Sequence, residues 1–199
     1  MKKYAVTITR QFGSLGRPIA KLMAEKLGVE YFDRDIVEKA SQNLNLSVNT
    51  IQEEEEKAKS MFGNMMYPLG KGTNETQDRI FIEQQRIIGK LVEENQQCII
   101  VGRCSDFILR NMEHAIHIYI YASKADRLRN CVDELLMTED DAKKTIAAVD
   151  KARDAYHKHY AGYLPSDPSS KHIMINSSML GVEGTADFLV DFIKRKFGE

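Results

Sequence analysis

The sequence YAVTITRQFGSLGRPIAKLMAEKLG occupies residues 4–28 and decides the fold. Tyr4–Thr9 is rich in β-branched residues and predicts a short strand. A loop with two glycines and a serine follows, and we place the candidate phosphate loop at residues 9–18. Apolar residues then recur at helical spacing up to a stop at Gly28; they are Ile19, Leu22, Met23 and Leu27. A strand, a tight glycine-containing loop and a helix form the usual beginning of a phosphate-binding unit.

Strands and helices alternate along the rest of the chain. Further strands are predicted at Val29–Phe32, Gln97–Val101, His114–Tyr121 and Ile173–Asn176. Helices are predicted at Ile36–Leu44, Asp78–Glu94, Lys124–Leu136, Glu139–His159 and Gly184–Lys196. Another helix is predicted to start at Leu46 and to continue through the acidic run at residues 53–56, and a loop is predicted over 60–76. This alternation predicts a three-layer α/β/α fold with a parallel sheet. Such sheets bind ligands beyond the C-terminal ends of their strands, which points to loops 9–18, 33–35, 102–106 and 122–127.

The bulk composition is that of one globular domain. The chain has 199 residues, of which 43% are hydrophobic, enough to build a core and too many for a disordered chain. Its formal net charge of -1 does not mark the surface as a binder of nucleic acid or membrane. The N-terminus lacks the apolar core of a signal peptide, and the three cysteines match no zinc pattern, so we expect a cytoplasmic protein with free thiols.

The loop over residues 9–18 lies where a phosphate loop should, but its residues differ from the usual motif. Backbone amides around Gly13, Ser14 and Gly16 are candidates for contacts with phosphate oxygens. The usual motif then supplies a lysine for the terminal phosphates and a hydroxyl for magnesium. Here Gly16 stands in place of the lysine and Pro18 in place of the hydroxyl residue. Pro18 suits the first turn of a helix but cannot ligate a metal.

Three basic residues flank this loop. They are Arg10, Arg17 and Lys21, and the last two are four residues apart on one face of the predicted helix. Because arginine binds phosphate through two parallel hydrogen bonds, it can replace the missing lysine. The competing interpretation is that residues 13–16 are only a tight turn.

Four stretches resemble the cytidylate kinase-like proteins of bacteria, which are relatives of nucleoside monophosphate kinases. They are ITRQFGSLGRPIAKLMAEKLGVEYFDRDIV at residues 8–37, CIIVGR at 98–103, the helix at 147–160 and INSS at 175–178. The resemblance follows the family's order along most of the chain. It implies one P-loop nucleotide kinase-like domain over 1–199 with a helical lid. The acceptor-side helical insertion would span about 36–95, and the lid region about 124–165.

The same resemblance implies roles for individual residues. Ser14, Gly16 and Arg17 would contact the donor phosphates, Asp33 would lie on the acceptor side, and Arg103 would bind the acceptor phosphate. Arg127 and Arg129 would lie near the donor base or the lid hinge, and Asp150 and Arg153 would belong to the lid. The catalytic residues would then be Arg17, Arg153 and Asp33. The implied cofactor is Mg²⁺ with ATP, and no protein metal site is expected.

Several positions depart from the family's pattern. Leu15 replaces a usual glycine, Cys104 replaces an Asp after Gly-Arg, and Ile146 and Ala147 replace an Arg-Asp pair. Two functions therefore stay open: a phosphotransferase acting on a nucleoside monophosphate or other small acceptor, and a weak or inactive kinase-fold protein that binds a nucleotide or phosphate. A third option is an oligomeric protein that kept only the fold. Expected partners are ATP or a related nucleotide and a small phosphorylated or hydroxyl acceptor, with a possible homo-oligomer.

Simpler structural roles compete at several of these residues. Asp33 is also a candidate cap for the helix that begins near Asp35. One of Arg127 and Arg129 is expected to be an ordinary surface residue. His157 and His159 are two residues apart and point in different directions on a helix, which predicts partly exposed side chains.

Overall fold

The computed structural model describes residues 3–57 and 75–198; of the loop expected at 60–76, only the last two residues fall within them, and these are helical. The strands are β1 (Tyr4–Arg10), β2 (Glu30–Phe32), β3 (Gln97–Val101), β4 (Ala115–Tyr121) and β5 (Ile173–Asn176). The helices are α1 (Gly16–Leu27), α2 (Arg34–Leu44), α3 (Val48–Lys57), α4 (Glu75–Glu94), α5 (Ser105–Ile108), α6 (Lys124–Asp133), α7 (Glu139–Ala161) and α8 (Gly181–Phe197). None of the described helices is both long enough and apolar enough to cross a bilayer.

The five strands form one parallel sheet in the order β2-β3-β1-β4-β5. Strand β1 is central, since Val6 pairs with Ile99 of β3 on one side and with Ile116 of β4 on the other. The end of β1 at Arg10 therefore brings the following loop to the middle of the sheet's C-terminal edge, where such sheets bind ligands. The predicted three-layer α/β/α fold is confirmed.

Helices cover both faces of the sheet because its strands are apolar on both sides. Val6 and Ile8 point into one core, where they pack with residues of α1 and α8. Ala5 and Ile100 point into the other, with residues of α2, α3 and α4. Burying an aliphatic side chain of the size of isoleucine stabilises the fold by about 1.5–3 kcal/mol. The two cores thus hold the sheet as a rigid support for the loops at its edge.

Two elements depart from the predicted boundaries. Helix α5 was not predicted; it is a single turn that follows three consecutive residues with positive φ, Gly102, Arg103 and Cys104. Helix α6 ends at Asp133 rather than Leu136, since Leu136 adopts a left-handed conformation with φ 54 and cannot continue the helix.

The two predicted helix caps behave differently. Thr138 caps α7, and its side chain accepts a hydrogen bond from the amide of Asp141. Asp33 precedes α2, but its side chain accepts no capping hydrogen bond. Its carboxylate instead accepts a hydrogen bond from Arg17 Nε, so capping is not the function of this side chain.

The three cysteines, Cys98, Cys104 and Cys131, are buried free thiols, as predicted. Burial raises the pKa of Cys98 to about 11 and raises that of Cys131 above its ordinary value. Both thiols are therefore neutral at physiological pH and poor nucleophiles.

Candidate functional site

The loop between β1 and α1 is packed tightly against helix α6. Gly13 has φ +76, and a Cβ atom at this position would lie 2.7 Å from the backbone oxygen of Arg127. Leu15, just before α1, is also left-handed, with φ 56. A glycine is thus required at residue 13, both for its conformation and for the close approach of the neighbouring helix.

The carbonyl oxygens of this loop are bound by side chains from other parts of the chain. The donors are Arg153 Nη1 to Arg10 O (3.1 Å), Arg127 Nε to Phe12 O (2.7 Å), Asn130 Nδ2 to Gly13 O (2.8 Å) and Ser177 Oγ to Ser14 O (2.7 Å). Carbonyls held in this way do not face a ligand. The first amides of a helix have no acceptor within the helix, so those of Gly16 and Arg17 at the start of α1 remain suited to an anion.

The side chain of Arg10 runs between the loop and the turn after β3. A Cβ atom at Gly16 would lie 2.8 Å from Arg10 Cβ, and one at Gly102 would collide with Arg10 Nη1. Gly16 therefore packs directly on the base of the Arg10 side chain, and Gly102 lies beside its flexible end. Its Nη2 atom ends 4.0 Å from Asp33 Oδ1.

A cavity of about 550 Å³ opens beside Arg10. Four arginines from four separate segments line it: Arg10 of β1, Arg17 of α1, Arg103 of the turn after β3 and Arg153 of α7. No acidic residue is among the described residues that line it. This volume lies within the usual range of small-molecule sites, and the charge of its wall favours an anionic ligand.

The arginines repel one another, and burial adds to this effect. Burial, together with the charge of Arg153, lowers the pKa of Arg10 to about 9, although Asp33 acts in the opposite direction. Burial also lowers the pKa of Arg153, with Arg103 contributing and Asp150 opposing. The ligand-free site therefore holds its positive charges at a cost, which a bound anion would reduce.

Asp33 is the carboxylate next to these arginines. It is 3% exposed. Its Oδ2 atom accepts hydrogen bonds from Arg17 Nε and, at 3.3 Å, from the Tyr31 hydroxyl. Its Oδ1 atom is buried and has no hydrogen-bond partner among the described residues. Burial and the charge of Asp33 raise the pKa of Tyr31 to about 12, so this hydroxyl remains a donor.

Asp150 and Arg127 hold the loop between β1 and α1 through the backbone of Phe12. Asp150 accepts a hydrogen bond from the amide of Phe12 (2.8 Å) and pairs with Arg127, whose side chain is buried. Neither residue lines the large cavity, and Asp150 lines a neighbouring one of about 390 Å³. Both residues therefore contact the backbone of the phosphate loop rather than the large cavity.

The structure brings Arg10, Gly13, Gly16, Arg17, Arg103 and Arg153 together at the large cavity. Lys21 is exposed on α1, and Arg129 is an exposed residue paired with Asp126 on its own helix, so neither lines it. Arg129 is thus the surface member of its pair. Ser14 is buried and does not line the cavity, since its hydroxyl (2.9 Å) and its amide (3.4 Å) both donate to Gln11 O.

A second charged cluster lies next to this site and was missed from sequence. His157, predicted to be partly exposed, is buried: its Nε2 atom is 3.0 and 3.1 Å from the two carboxylate oxygens of Asp106. Lys171 Nζ donates to the same carboxylate (2.6 Å), and its side chain is fully buried. Burial acts to raise the pKa of Asp106, but His157 and Lys171 hold it well below its usual range. His159 is partly exposed, as predicted.

The family model described as "cytidylate kinase-like family" matches residues 5–179. The chain belongs to the cytidylate kinase-like family. The resemblance stated from the sequence is confirmed, and the match includes the phosphate loop, the Gly102-Arg103 turn and helix α7. No curated protein sequence matches this family member.

Several solved structures share the fold of this cytidylate kinase-like chain. An uncharacterized protein from Eubacterium ventriosum ATCC 27560 is 23% identical, with a TM-score of 0.75, covering 98% of this chain and 99% of that one. Shikimate kinase from Bacteroides thetaiotaomicron is 12% identical, with a TM-score of 0.56, covering 98% and 99%. A gluconokinase from Sinorhizobium meliloti 1021 is 9% identical, with a TM-score of 0.55, covering 98% and 96%. The fold is therefore that of P-loop kinases.

Proposed function

We propose that this cytidylate kinase-like protein transfers the terminal phosphoryl group of ATP to a small acceptor. The observation that carries the proposal is the large cavity beside the phosphate loop, into which four separate segments bring an arginine. Phosphoryl transfer depends mostly on positioning and on neutralising phosphate charge, and arginines at such a cavity serve both purposes. In this proposal residues 36–95 form the acceptor side and 124–165 the lid region.

Each group has a distinct part in the proposed reaction. The amides of Gly16 and Arg17, with the guanidinium of Arg10, bind the donor phosphates. Arg103 binds an anionic group of the acceptor, and Arg153 of α7 stabilises the transferring phosphoryl. Asp33 does not line the cavity, but it accepts a hydrogen bond from Arg17 and lies 4.0 Å from Arg10, so it positions these two guanidinium groups.

The proposed step balances as a simple displacement. The acceptor oxygen forms a bond to the γ-phosphorus while the bond from that phosphorus to the β,γ-bridging oxygen breaks. ADP leaves with the electron pair of the broken bond. A hydroxyl acceptor releases its proton to water, whereas a phosphate acceptor attacks as its dianion and has no proton to release.

Magnesium does not fit the side chains at this site. Within the described part of the chain, no three His, Cys, Asp or Glu side chains are grouped to hold a metal ion. Pro18 lacks the hydroxyl that phosphate loops use for magnesium, and Asp33 does not line the cavity. The metal would enter the site already bound to the phosphate oxygens of ATP.

A second function is favoured by the same departures. A protein that binds a nucleotide or phosphate without turnover needs the arginine cavity and the loop, but needs neither the lysine nor the hydroxyl that residues 16 and 18 lack. The two functions differ only in turnover.

The acceptor is to be identified by an ADP-release assay with ATP, Mg²⁺ and one compound at a time. The panel includes CMP, dCMP, UMP and AMP as phosphorylated acceptors. It also includes shikimate and gluconate, because structural neighbours are named as kinases of those hydroxy acids. Turnover with one acceptor class, lost in Arg153→Gln and retained in Arg129→Ala, supports the transferase. Saturable ATP binding without turnover across the panel supports the binder, and absence of both contradicts the two proposals.

A further inference from the structure

The smaller cavity, of about 390 Å³, adjoins the large one at the C-terminal edge of the sheet. Strands β4 and β5 supply Tyr119, Tyr121 and Met174 to its wall, and helix α7 supplies Asp154. None of these four residues lines the large cavity. The volume lies within the usual range of small-molecule sites, so the smaller cavity is a candidate for a ligand of its own.

Tyr119 brings a buried hydroxyl to this cavity without a protein partner. The residue is 6% exposed, yet its hydroxyl forms no hydrogen bond with any residue that the structure describes. Burial, with the charges of Asp150 and Asp154 contributing, raises the pKa of Tyr119 to about 12, so the hydroxyl keeps its proton. Because buried hydroxyls are nearly always hydrogen-bonded in folded proteins, this one is left for a molecule that enters the cavity.

Asp154 brings a carboxylate to the same cavity, also without a partner. Its side chain is half-buried and makes no hydrogen bond or ion pair within residues 3–57 and 75–198. Burial and the neighbouring charge of Asp150 raise its pKa above the ordinary value. Asp150, by contrast, is occupied by the amide of Phe12 and by Arg127. The cavity therefore offers one free phenol and one free carboxylate.

The groups around the cavity favour a neutral ligand that is rich in hydroxyls. Carboxylates and the guanidinium groups of Arg10 and Arg153 all line it, so an ionic ligand of either sign meets a like charge. A hydroxyl can donate to Asp154 and accept from a phenol or a guanidinium. The rings of Tyr119 and Tyr121 are nearly parallel, with centroids 6.3 Å apart, and offer apolar surface to the CH groups of a ligand ring.

We propose that the smaller cavity is a second ligand site, which binds a neutral polyhydroxylated ring, that is, a sugar or a cyclic polyol. Asp154 accepts a hydrogen bond from one ligand hydroxyl, and Tyr119 donates to another. The ligand ring packs against Tyr119 and Tyr121. This inference goes beyond the proposed function, because it concerns another cavity and requires no phosphoryl transfer.

The first test is a ligand-observed NMR titration of the wild-type chain at pH 8 with D-glucose, D-ribose and myo-inositol. Tetrahydropyran, a ring without hydroxyls, and cyclohexylamine, a ring with a cationic group, are the matched probes. We expect at least one polyol to saturate the protein with a dissociation constant about 10-fold lower than that of either matched probe, the worth of two hydrogen bonds. Saturation by none of the polyols, or equal binding of a matched probe, overturns the proposal.

The second test uses Tyr119→Phe, which removes only the hydroxyl. We expect the affinity for the bound polyol to fall by about 3- to 10-fold, since one hydrogen bond is lost. The thermal midpoint of the ligand-free protein should stay level, because the hydroxyl has no partner among the described residues. A structural role for this hydroxyl predicts a lower midpoint with retained affinity, and that result would overturn the proposal.

Two aspartate variants complete this test. Asp154→Asn replaces a charge-assisted hydrogen bond with a neutral one and should weaken polyol binding by about 3- to 10-fold. Asp133→Asn is the control: this residue is exposed on α6 and lines neither cavity, so polyol affinity should not change. Polyol binding that survives both Tyr119→Phe and Asp154→Asn takes place elsewhere and contradicts the site.

The outcomes separate this inference from the proposed function. Phosphoryl transfer by a chain that binds no polyol would overturn the second site and leave the transferase standing. Polyol binding that depends on Tyr119 and Asp154, in a chain without turnover on any acceptor, would support the second site and leave only the binder.

Discussion

Two charged clusters lie side by side along helix α7, and they are built in opposite ways. The arginine cluster contains Arg10, Arg17, Arg103 and Arg153 with Asp33, and it lines an open cavity. The Asp106 cluster contains Asp106, His157, Tyr163 and Lys171, and it is closed: all four meet through hydrogen bonds around one carboxylate. Arg153 and His157 are four residues apart, so one helix face supplies both.

The difference between the clusters indicates what each is for. In the Asp106 cluster, Lys171 and His157 both pair with the carboxylate of Asp106, and all three side chains are nearly fully buried. This arrangement is typical of a structural connection, here between α5, α7 and the segment before β5. In the arginine cluster, which lines a cavity, Asp33 Oδ1 is buried and has no hydrogen-bond partner among the described residues. Buried polar groups in folded proteins are nearly always hydrogen-bonded, and exceptions beside a cavity are typical of functional sites.

The largest effect is expected from Asp106→Asn. The substitution removes the carboxylate that pairs with Lys171 and leaves a buried positive charge without its partner. This loss costs about 3–5 kcal/mol in the free energy of unfolding. Urea denaturation measures this loss. Asp154→Asn is the matched control: burial and Asp150 raise the pKa of Asp154, so neutralising it should not destabilise the protein. Equal losses in the two variants would remove the distinction between the clusters.

The next effect is expected in the arginine cluster and concerns binding rather than folding. Arg153→Gln should weaken pyrophosphate binding by about 10- to 100-fold, the worth of a charge-assisted contact. Its free energy of unfolding should change by less than about 1 kcal/mol, because removing one of several repelling charges offsets the lost hydrogen bond to Arg10 O. Calorimetric titration and urea denaturation give the two quantities. A large loss of stability with unchanged affinity would mean that Arg153 has a structural role and not a role in binding.

Acidification should lower the stability of the folded protein through His117. This histidine is buried beside His172 and 2.8 Å from Thr7 Oγ1. Burial, with His172 contributing, lowers its pKa to about 4 from an ordinary 6.5. A histidine with a lowered folded-state pKa contributes stability that is present above pH 6.5 and is lost as the pH falls toward 4.

We expect the wild-type chain to lose about 1–3 kcal/mol of unfolding free energy across this pH window. The slope should be shallower in His117→Gln, with His172, whose pKa is also lowered, supplying what remains. Denaturation curves at a series of pH values give both slopes. Asp106 titrates well below this window, so an unchanged slope in His117→Gln would mean that another group carries the acid sensitivity.

The smallest effect is expected from Arg129→Ala. Its exposed ion pair with Asp126 should contribute less than about 0.5 kcal/mol to stability, and pyrophosphate affinity should not change. If affinity falls as far as in Arg153→Gln, net charge rather than placement in the cavity governs binding.

The sequence predicted the parts of this molecule that depend on local pattern. The β-branched run before Arg10, the apolar spacing after Pro18 and the strand before Gly102 each specify one element, and the parallel order follows from their alternation. The loops at the sheet's C-terminal edge, and with them Arg17 and Arg103, were found for the same reason.

Contacts between distant residues could not be predicted in this way. His157 and Lys171 both contact Asp106, from which they are 51 and 65 residues away in the sequence. No spacing pattern connects the three residues. The position of Arg10 was equally hidden, because its side chain packs beside two glycines that are distant in sequence, Gly16 and Gly102. A buried lysine and a buried arginine both look like surface residues in a sequence.

The central claim is that the arginine cavity is an anion site, and a crystal structure of the protein grown with pyrophosphate tests it most directly. The account predicts one pyrophosphate in the cavity, within hydrogen-bond distance of the Gly16 and Arg17 amides and of Arg10, Arg103 and Arg153. A cavity without pyrophosphate at concentrations that saturate the protein in solution, or pyrophosphate bound elsewhere, would contradict it.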